Sequence, residues 1–314
     1  MICKIPDNLT IRSYEHELVR IPLLVRGKSD IQIKKGKEHE MTGRVDGKVA
    51  IVTGAAHGMG RSHCLVLARE GADIAAVDIG CAQPLAVYQM ATEDELTQVV
   101  KDAQALGRRA IGIKCDVTKG DEVEQMVESV VSQFGKIDIL VNNVGVSGGS
   151  LITEMTEEYW DFMLAVNLKS QFLCCKYVLP HMIKQQSGKI INIGSVNGRE
   201  GSAGMTAYCA AKSGVHNFTH ALAKEVAPYN INVNCVAPCA VNTPMLQAGA
   251  VMAPIVYGIK EEEFYDYYCK MMHILGREIK VEDISNAVLF LASEESRNID
   301  GSVIYVDGGH IRVP

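Results

Sequence analysis

The feature that most constrains this chain of 314 residues is a short apolar run, Val49–Thr53, that passes directly into Gly54-Ala55-Ala56-His57-Gly58-Met59-Gly60 and then into a helical pattern. Glycines at those places allow a tight turn and let a ligand lie against the backbone. The helix that follows offers unpaired N–H groups and the positive end of its dipole. A glycine-rich string alone marks many ordinary turns. Between a strand and a helix it signals a dinucleotide pyrophosphate site. The residues expected to line that site are Gly54, His57, Gly58, Met59 and Gly60.

The same rhythm runs on to the end of the chain. Strands are predicted at Val49–Thr53, Asp73–Asp78, Ala110–Cys115, Ile137–Asn142, Lys189–Ile193, Ile231–Val236 and Ser302–Val306. Helices are predicted at Gly58–Glu70, Glu93–Leu106, Asp121–Phe134, Glu157–Lys184, Ala207–Ala227 and Val281–Ala292. Near-continuous apolar strands alternating with amphipathic helices imply a parallel sheet covered on both faces. The fold expected is α/β, a Rossmann-type doubly wound parallel sheet of about seven strands with helices on both faces. Residues 41–314 read as one domain. Hydrophobic residues make up 47% of the chain, enough for a substantial core.

Two segments break the rhythm. Ile79–Thr92 is longer than a plain connection, and its Leu85, Val87, Tyr88 and Met90 are too apolar for a solvated tip, so it is expected to pack near the adenosine edge of the site. The stretch at about 244–275 reads as a substrate lid. Its Met245, Leu246, Met252, Ile255, Val256, Tyr257, Phe264, Tyr265, Tyr267, Tyr268, Met271 and Met272 suit a greasy ligand, although many must also pack the lid to itself or to another subunit. Residues 1–40 read as an extension, either disordered or not translated natively. Lys37-Glu38 can be encoded as a ribosome-binding sequence with His39-Glu40 as spacer, which makes Met41 the expected start.

Asp78 closes the second strand eighteen residues after Gly60. A carboxylate there accepts hydrogen bonds from the ribose hydroxyls of adenosine and repels a 2′-phosphate. Ile79 follows, and no Arg stands nearby to hold such a phosphate, so NAD is expected rather than NADP. Asp116-Val117, after the third strand, is placed to meet the adenine ring. The net charge of −6 argues against a nucleic-acid surface. No apolar run reaches the about 18 residues of a membrane span. Ten cysteines without repeated spacing read as buried thiols of a reducing, cytoplasmic compartment. No metal site is expected. His216 and His220 share a helix face but lack a third ligand, so they are read as a helix face or an interface.

Further motifs are Asn142-Asn143-Val144-Gly145, Asn167, Ser195 and Tyr208-Cys-Ala-Ala-Lys212. With the glycine turn, they give the chain from about Gly47 to Gly309 a resemblance to the short-chain dehydrogenase/reductase family. That resemblance implies a catalytic tetrad of Asn167, Ser195, Tyr208 and Lys212, and cofactor contacts from Asn143, Val144, Gly145, Pro238, Val241 and Thr243. Tyr208 and Lys212 are four apart on a helix, hence on one face. The ammonium is expected to lower the phenol's pKa from about 10 and make Tyr208 a usable base. Ser195 is expected to hold the substrate oxygen. Asn167 should mark a local break in its helix and hold a water that links Lys212 to solvent. Val144 stands where the family usually has Ala, and Cys239 where it usually has Gly.

Gly60-Arg61-Ser62-His63, the long insert after Asp78-Ile79, and Val241-Asn242-Thr243-Pro244-Met245 resemble a narrower branch, the carveol-dehydrogenase-like, mycofactocin-coupled enzymes. This implies an alcohol of a small, often cyclic, apolar molecule, reversibly oxidised to the ketone. It also implies NAD that stays bound, with a redox partner regenerating it in place. The wider family implies a homotetramer through helices Glu157–Lys184 and Ala207–Ala227. Two other readings are a non-catalytic NAD-sensing protein, which would be expected to have lost Tyr or Lys, and a double-bond reductase, in which Ser195 would be less expected.

Overall fold

The computed structural model describes residues 43–86, 88–247 and 258–310. Seven strands form one sheet: β1 (Val49–Thr53), β2 (Asp73–Asp78), β3 (Ala110–Lys114), β4 (Ile139–Asn142), β5 (Gly188–Ile193), β6 (Ile231–Pro238) and β7 (Val303–Val306). Their order is β3-β2-β1-β4-β5-β6-β7, and every pairing is parallel. The chain moves outward from β1 to β2 and β3, then returns to place β4 on the other side of β1. The strand order therefore reverses between β1 and β4, where the carboxyl ends of the strands open a crevice.

Burial explains the parallel arrangement. Every residue of β1 and β2 is buried. Alternate residues of β1 enter opposite layers: Ala50 and Val52 join Ile74, Ala76, Ile139 and Val141 on one face, while Val49 and Ile51 join Ala75, Val77 and Leu140 on the other. Helices α1 (Gly58–Arg69) and α2 (Glu93–Ala105) cover the first face with the last helix. Helices α3 (Gly120–Phe134), α5 (Ser170–Gln185) and α6 (Thr206–Val226) cover the second. A full capping box opens α2, in which Thr92 accepts from Glu95 N–H and Glu95 accepts from Thr92 N–H. Gly135, in the left-handed region at φ 81°, closes α3.

The predicted strand and helix ends agree with the structure to within about two residues. The main difference lies in the helix expected over Glu157–Lys184 with a local break at Asn167. It is α4 (Glu157–Leu164), a π turn at Ala165–Lys169, and then α5. β4 starts two residues later than expected because the main chain of Ile137 is tied to the Gln185 amide, donating at 3.2 Å and accepting at 2.8 Å. In the lid, the described parts are a short helix α7 (Pro244–Gln247), a turn at Glu261–Glu263 and α8 (Phe264–Met272), followed by α9 (Val281–Ala292). Residues 1–40, Val87 and the lid's Met252, Ile255, Val256 and Tyr257 lie outside the described residues. The described cysteines are free thiols, most of them buried. Among the described residues no helix is long and apolar enough to cross a membrane, and no group of His, Cys, Asp and Glu could hold a metal ion.

Candidate active site

The glycine turn is built for close approach. Gly54 and Gly58 have φ of 64° and 55°, which favour glycine. A Cβ on Gly60 would lie 1.8 Å from the Gly54 carbonyl oxygen, so α1 can sit against the turn only with glycine there. Asn143 braces the turn from β4: its amide donates to the carbonyls of Thr53 (2.9 Å) and Gly54 (3.1 Å), and its N–H donates to Thr53 Oγ1 (3.0 Å). Val144 N–H shares that hydroxyl at 3.2 Å. His57 is the N-cap of α1, and its Nε2 is buried without a partner.

A cavity of about 170 Å³ lies above this turn. Gly54, His57, Gly58, Met59, Gly60, Asp78, Ile79, Asp116, Val117, Asn143, Val144, Gly145 and Thr243 all line it. Asp78 is buried at the end of β2, where Oδ2 accepts from Ala56 N–H (3.0 Å) and Oδ1 from Gly80 N–H (3.3 Å), so the carboxylate is fixed in direction. The Ile79–Thr92 insert folds back here. Gln83, Tyr88 and Met90 complete the wall. The Tyr88 hydroxyl donates to the Gly145 carbonyl at 3.2 Å, and Tyr88 and Met90 pack with Phe162, Val166 and Tyr208. Burial, with Tyr208 and Asp78 close by, raises the Tyr88 pKa. The sequence marked the insert as apolar but gave no sign of the Gly145 contact.

A second cavity, about 370 Å³, adjoins the first through Met59, Asn143, Gly145, Thr243 and Met245. Ser195, Tyr208, Lys212, Pro238, Cys239 and Val241 line it, and Leu246, Phe264, Tyr268 and Met272 bring the lid to it. Ser195 stands two residues beyond β5 and caps a 3-10 turn at Val196–Gly198, accepting from Asn197 N–H at 3.2 Å. Lys212 Nζ donates to the Ile193 carbonyl at 2.9 Å and stands 5.7 Å from the centre of the Tyr208 ring. Burial brings the Lys212 pKa down to about 8.

One expectation needs correction. Lys212 was expected to lower the Tyr208 pKa, but burial raises it, and the opposing pull comes from the Ser195 hydroxyl. The Lys212 ammonium is itself desolvated and engaged with Ile193, so the chain alone keeps Tyr208 protonated. Asn167 lies in the π turn, which is the expected helix break, yet its side chain is fully buried and used on backbone. Its oxygen accepts from Val146 N–H (3.1 Å) and its amide donates to the Met163 carbonyl (3.0 Å), so the side chain braces the π turn against the segment after β4. His216, on the face of α6, is buried with its ring against Gly194 and Gly198.

Burial pushes the Cys239 thiol up to about 12, so it is no thiolate near neutral pH and serves as a small wall residue. One pair on the second cavity was not foreseen. His310 Nε2 stands 3.1 Å from Glu200 Oε2, and its Nδ1 stands 3.0 Å from the Met272 carbonyl, which ties the chain's end to α8 and to the loop after β5. These residues are too far apart in sequence for spacing to reveal the contact.

A switch-point crevice, a glycine turn under one cavity and a Ser-Tyr-Lys cluster in the next define an oxidoreductase of the nucleotide-binding Rossmann type. The chain belongs to the short-chain dehydrogenase family, whose model matches residues 48–250. It is 36% identical over 271 residues to (-)-trans-carveol dehydrogenase of Rhodococcus erythropolis, covering 85% of this chain and 98% of that protein. It is 39% identical over 266 residues to a 3-oxoacyl-[acyl-carrier-protein] reductase of Thermotoga maritima, covering 85% and 98%. The crystal structure of carveol dehydrogenase from Mycobacterium avium in complex with NAD matches with a TM-score of 0.82 and 37% identity, over 86% of this chain and 99% of that one.

Proposed function

We propose that this protein is an NAD-dependent alcohol dehydrogenase/ketoreductase, interconverting a secondary alcohol and a ketone on a small, largely apolar molecule. The observation that carries the reading is the second cavity, in which Ser195, Tyr208 and Lys212 face an apolar lid wall. The first cavity fits a dinucleotide. Glycines at positions 54, 58 and 60 hold the turn open, Asp78 is fixed to accept ribose hydroxyls, and His57 Nε2 and Asn143 Oδ1 are buried without partners. NAD held by the glycine turn and Asp78 would supply the acceptor for the hydride of the carbinol carbon. Asp78 favours it over NADP because a buried carboxylate repels a 2′-phosphate.

The chain's own groups handle the proton. Ser195 holds the substrate oxygen within reach of Tyr208, and the Tyr208 hydroxyl gives its proton to a ketone or takes one from an alcohol. Lys212, with its pKa brought down to about 8, keeps its proton at neutral pH but releases it readily, so it can resupply Tyr208. Oxidation needs the phenolate, and burial opposes it; the positive charge that an oxidised nicotinamide cofactor carries would favour the phenolate if held near Tyr208. Asn167 fixes the π turn and the Val144–Val146 strand end around these groups.

The similarity to acyl-carrier-protein reductases suggests a second reading, an acyl ketoreductase. Lys212 is the sole Lys or Arg among the described residues of the second cavity and belongs to the reaction cluster, and His310, the other cationic candidate on the lining, faces Glu200, so the described walls favour an uncharged substrate. A free, uncharged alcohol fits better. The full cofactor cluster and the intact Ser-Tyr-Lys set disfavour a mere NAD sensor. The insert over the first cavity supports NAD that is retained through turnover, which would require a separate redox partner to reoxidise it in place. The assembly proposed is a homotetramer through α4–α5 and α6, where Phe172 leaves a large apolar side chain exposed. A panel of terpenoid, steroid and aliphatic alcohols with NAD or an artificial electron acceptor tests the function. Turnover of the apolar secondary alcohols is expected; exclusive turnover of acyl thioesters would replace this reading with the second one.

A further inference from the structure

The helix that carries Tyr208 and Lys212 continues their face one turn further, to His216. This side chain is buried, and it belongs to neither cavity wall. Its ring lies directly under the segment that holds Ser195. A Cβ on Gly198 would fall 2.4 Å from His216 Cε1 and 2.6 Å from Nε2, and a Cβ on Gly194 would fall 2.6 Å from Nε2. Neither glycine has the left-handed φ that would call for glycine on backbone grounds. Space is the requirement: the chain lies close against the imidazole at both ends of a five-residue segment whose second member is Ser195. The Tyr305 ring closes the other side edge-on, with centroids 6.1 Å apart and planes at 83°. Ser213, on the same helix, adds a hydrogen bond to the Gly198 carbonyl at 3.0 Å.

We propose that His216 is the positioning residue for Ser195: its ring, wedged between α6 and the Gly194–Gly198 segment, sets where the serine hydroxyl stands relative to Tyr208. One helix thus places the acid/base directly and the serine indirectly, so the two cannot drift apart. Charge supports the arrangement. The ring interacts with the Ser195 main chain, and burial together with the nearby Lys212 and His220 brings the His216 pKa down to about 4. The wedge is therefore neutral at working pH and adds no second cation beside Lys212.

The inference rests on the dehydrogenase reading, and its test is arranged to separate the two. His216→Ala removes the wedge; His216→Asn, smaller but still polar, is the second variant if the first does not fold. Each is compared with the parent for NAD affinity by calorimetry and for kcat and KM on the best alcohol of the panel. A misplaced serine should lower kcat/KM for the alcohol by about 10- to 100-fold, mostly through kcat. The NAD dissociation constant should stay within about twofold, because the glycine turn and Asp78 are untouched. In a Ser195→Ala background the same substitution should cost less than about twofold, since a positioner has nothing left to position. Parent-like kcat/KM in both His216 variants overturns the proposal. So does a loss that is equally large without Ser195, or one matched by weaker NAD binding. A parent protein that turns over no alcohol would instead defeat the functional reading.

Discussion

At the scale of single residues, the site separates holding from reacting, and two substitutions test that division. Tyr208→Phe removes only the hydroxyl, while the ring keeps its place beside Tyr88 and Phe162. Turnover should fall by at least about 10²-fold, the lower range for a positioned acid/base, with NAD affinity nearly unchanged. Near-normal turnover by this variant would reject Tyr208 as the proton-moving group. Asp78→Ala removes a carboxylate that also accepts from Ala56 and Gly80. It should weaken NAD binding by about 1.5–3 kcal/mol, the worth of a hydrogen bond to a charged group, and narrow the preference over NADP. An unchanged NAD to NADP ratio would show that Asp78 does not read the ribose. Sequence spacing pointed to both positions because each sits at a fixed place in a local motif, and the structure puts Asp78 on the first cavity and Tyr208 on the second. Spacing missed what burial does to Tyr208, since desolvation depends on what the rest of the chain packs around the phenol.

At the scale of elements, the strands were the most legible part. Their apolar runs are nearly unbroken because helices cover both faces of the sheet. The helix over 157–184 was read as one element whose break at Asn167 came with the family resemblance, because its hydrophobic pattern does not announce a π turn. The interruption at Ala165–Lys169 depends on Asn167 reaching across to Val146, a contact between elements. The insert after β2 falls between these cases: its apolar residues predicted packing, and the structure supplies the partners, with Tyr88 and Met90 against Phe162, Val166 and Tyr208 of the same chain. Because these residues also wall the first cavity, the insert should slow cofactor release, and affinity differences appear mostly in the off-rate. Protein purified without added cofactor should release close to one equivalent of NAD on denaturation. Tyr88→Ala, which loses both the Gly145 hydrogen bond and the ring, should release substantially less. Cofactor-free parent protein that cycles many equivalents of added NAD would defeat the retention idea, while leaving the dehydrogenase reading standing.

For the whole molecule, the buried histidines tie stability to pH. His63, on α1, is fully buried, with Nδ1 2.8 Å from the Ser285 hydroxyl, and burial brings its pKa down from 6.5 to about 3 despite the Asn143 side chain nearby. His216 is brought from 6.5 to about 4. Both are neutral in the folded protein where the unfolded chain would already bind protons. The unfolded state thus holds more protons between these values and 6.5, so stability rises with pH across that window. The contribution is complete above pH 6.5 and is lost as pH falls, toward about 4 for His216 and about 3 for His63. Each group adds a slope of about 1.4 kcal/mol per pH unit inside its window. Urea unfolding followed from about pH 7 down to about pH 4.5 should show a steady decline with the combined slope of about two protons. His216→Asn should remove about one of the two, leaving a shallower curve even if its stability at neutral pH is lower than the parent's. A parent curve that is flat between pH 6.5 and 5 would mean that these rings are charged or solvated in the folded state. It would also remove the neutral wedge on which the placement of Ser195 depends.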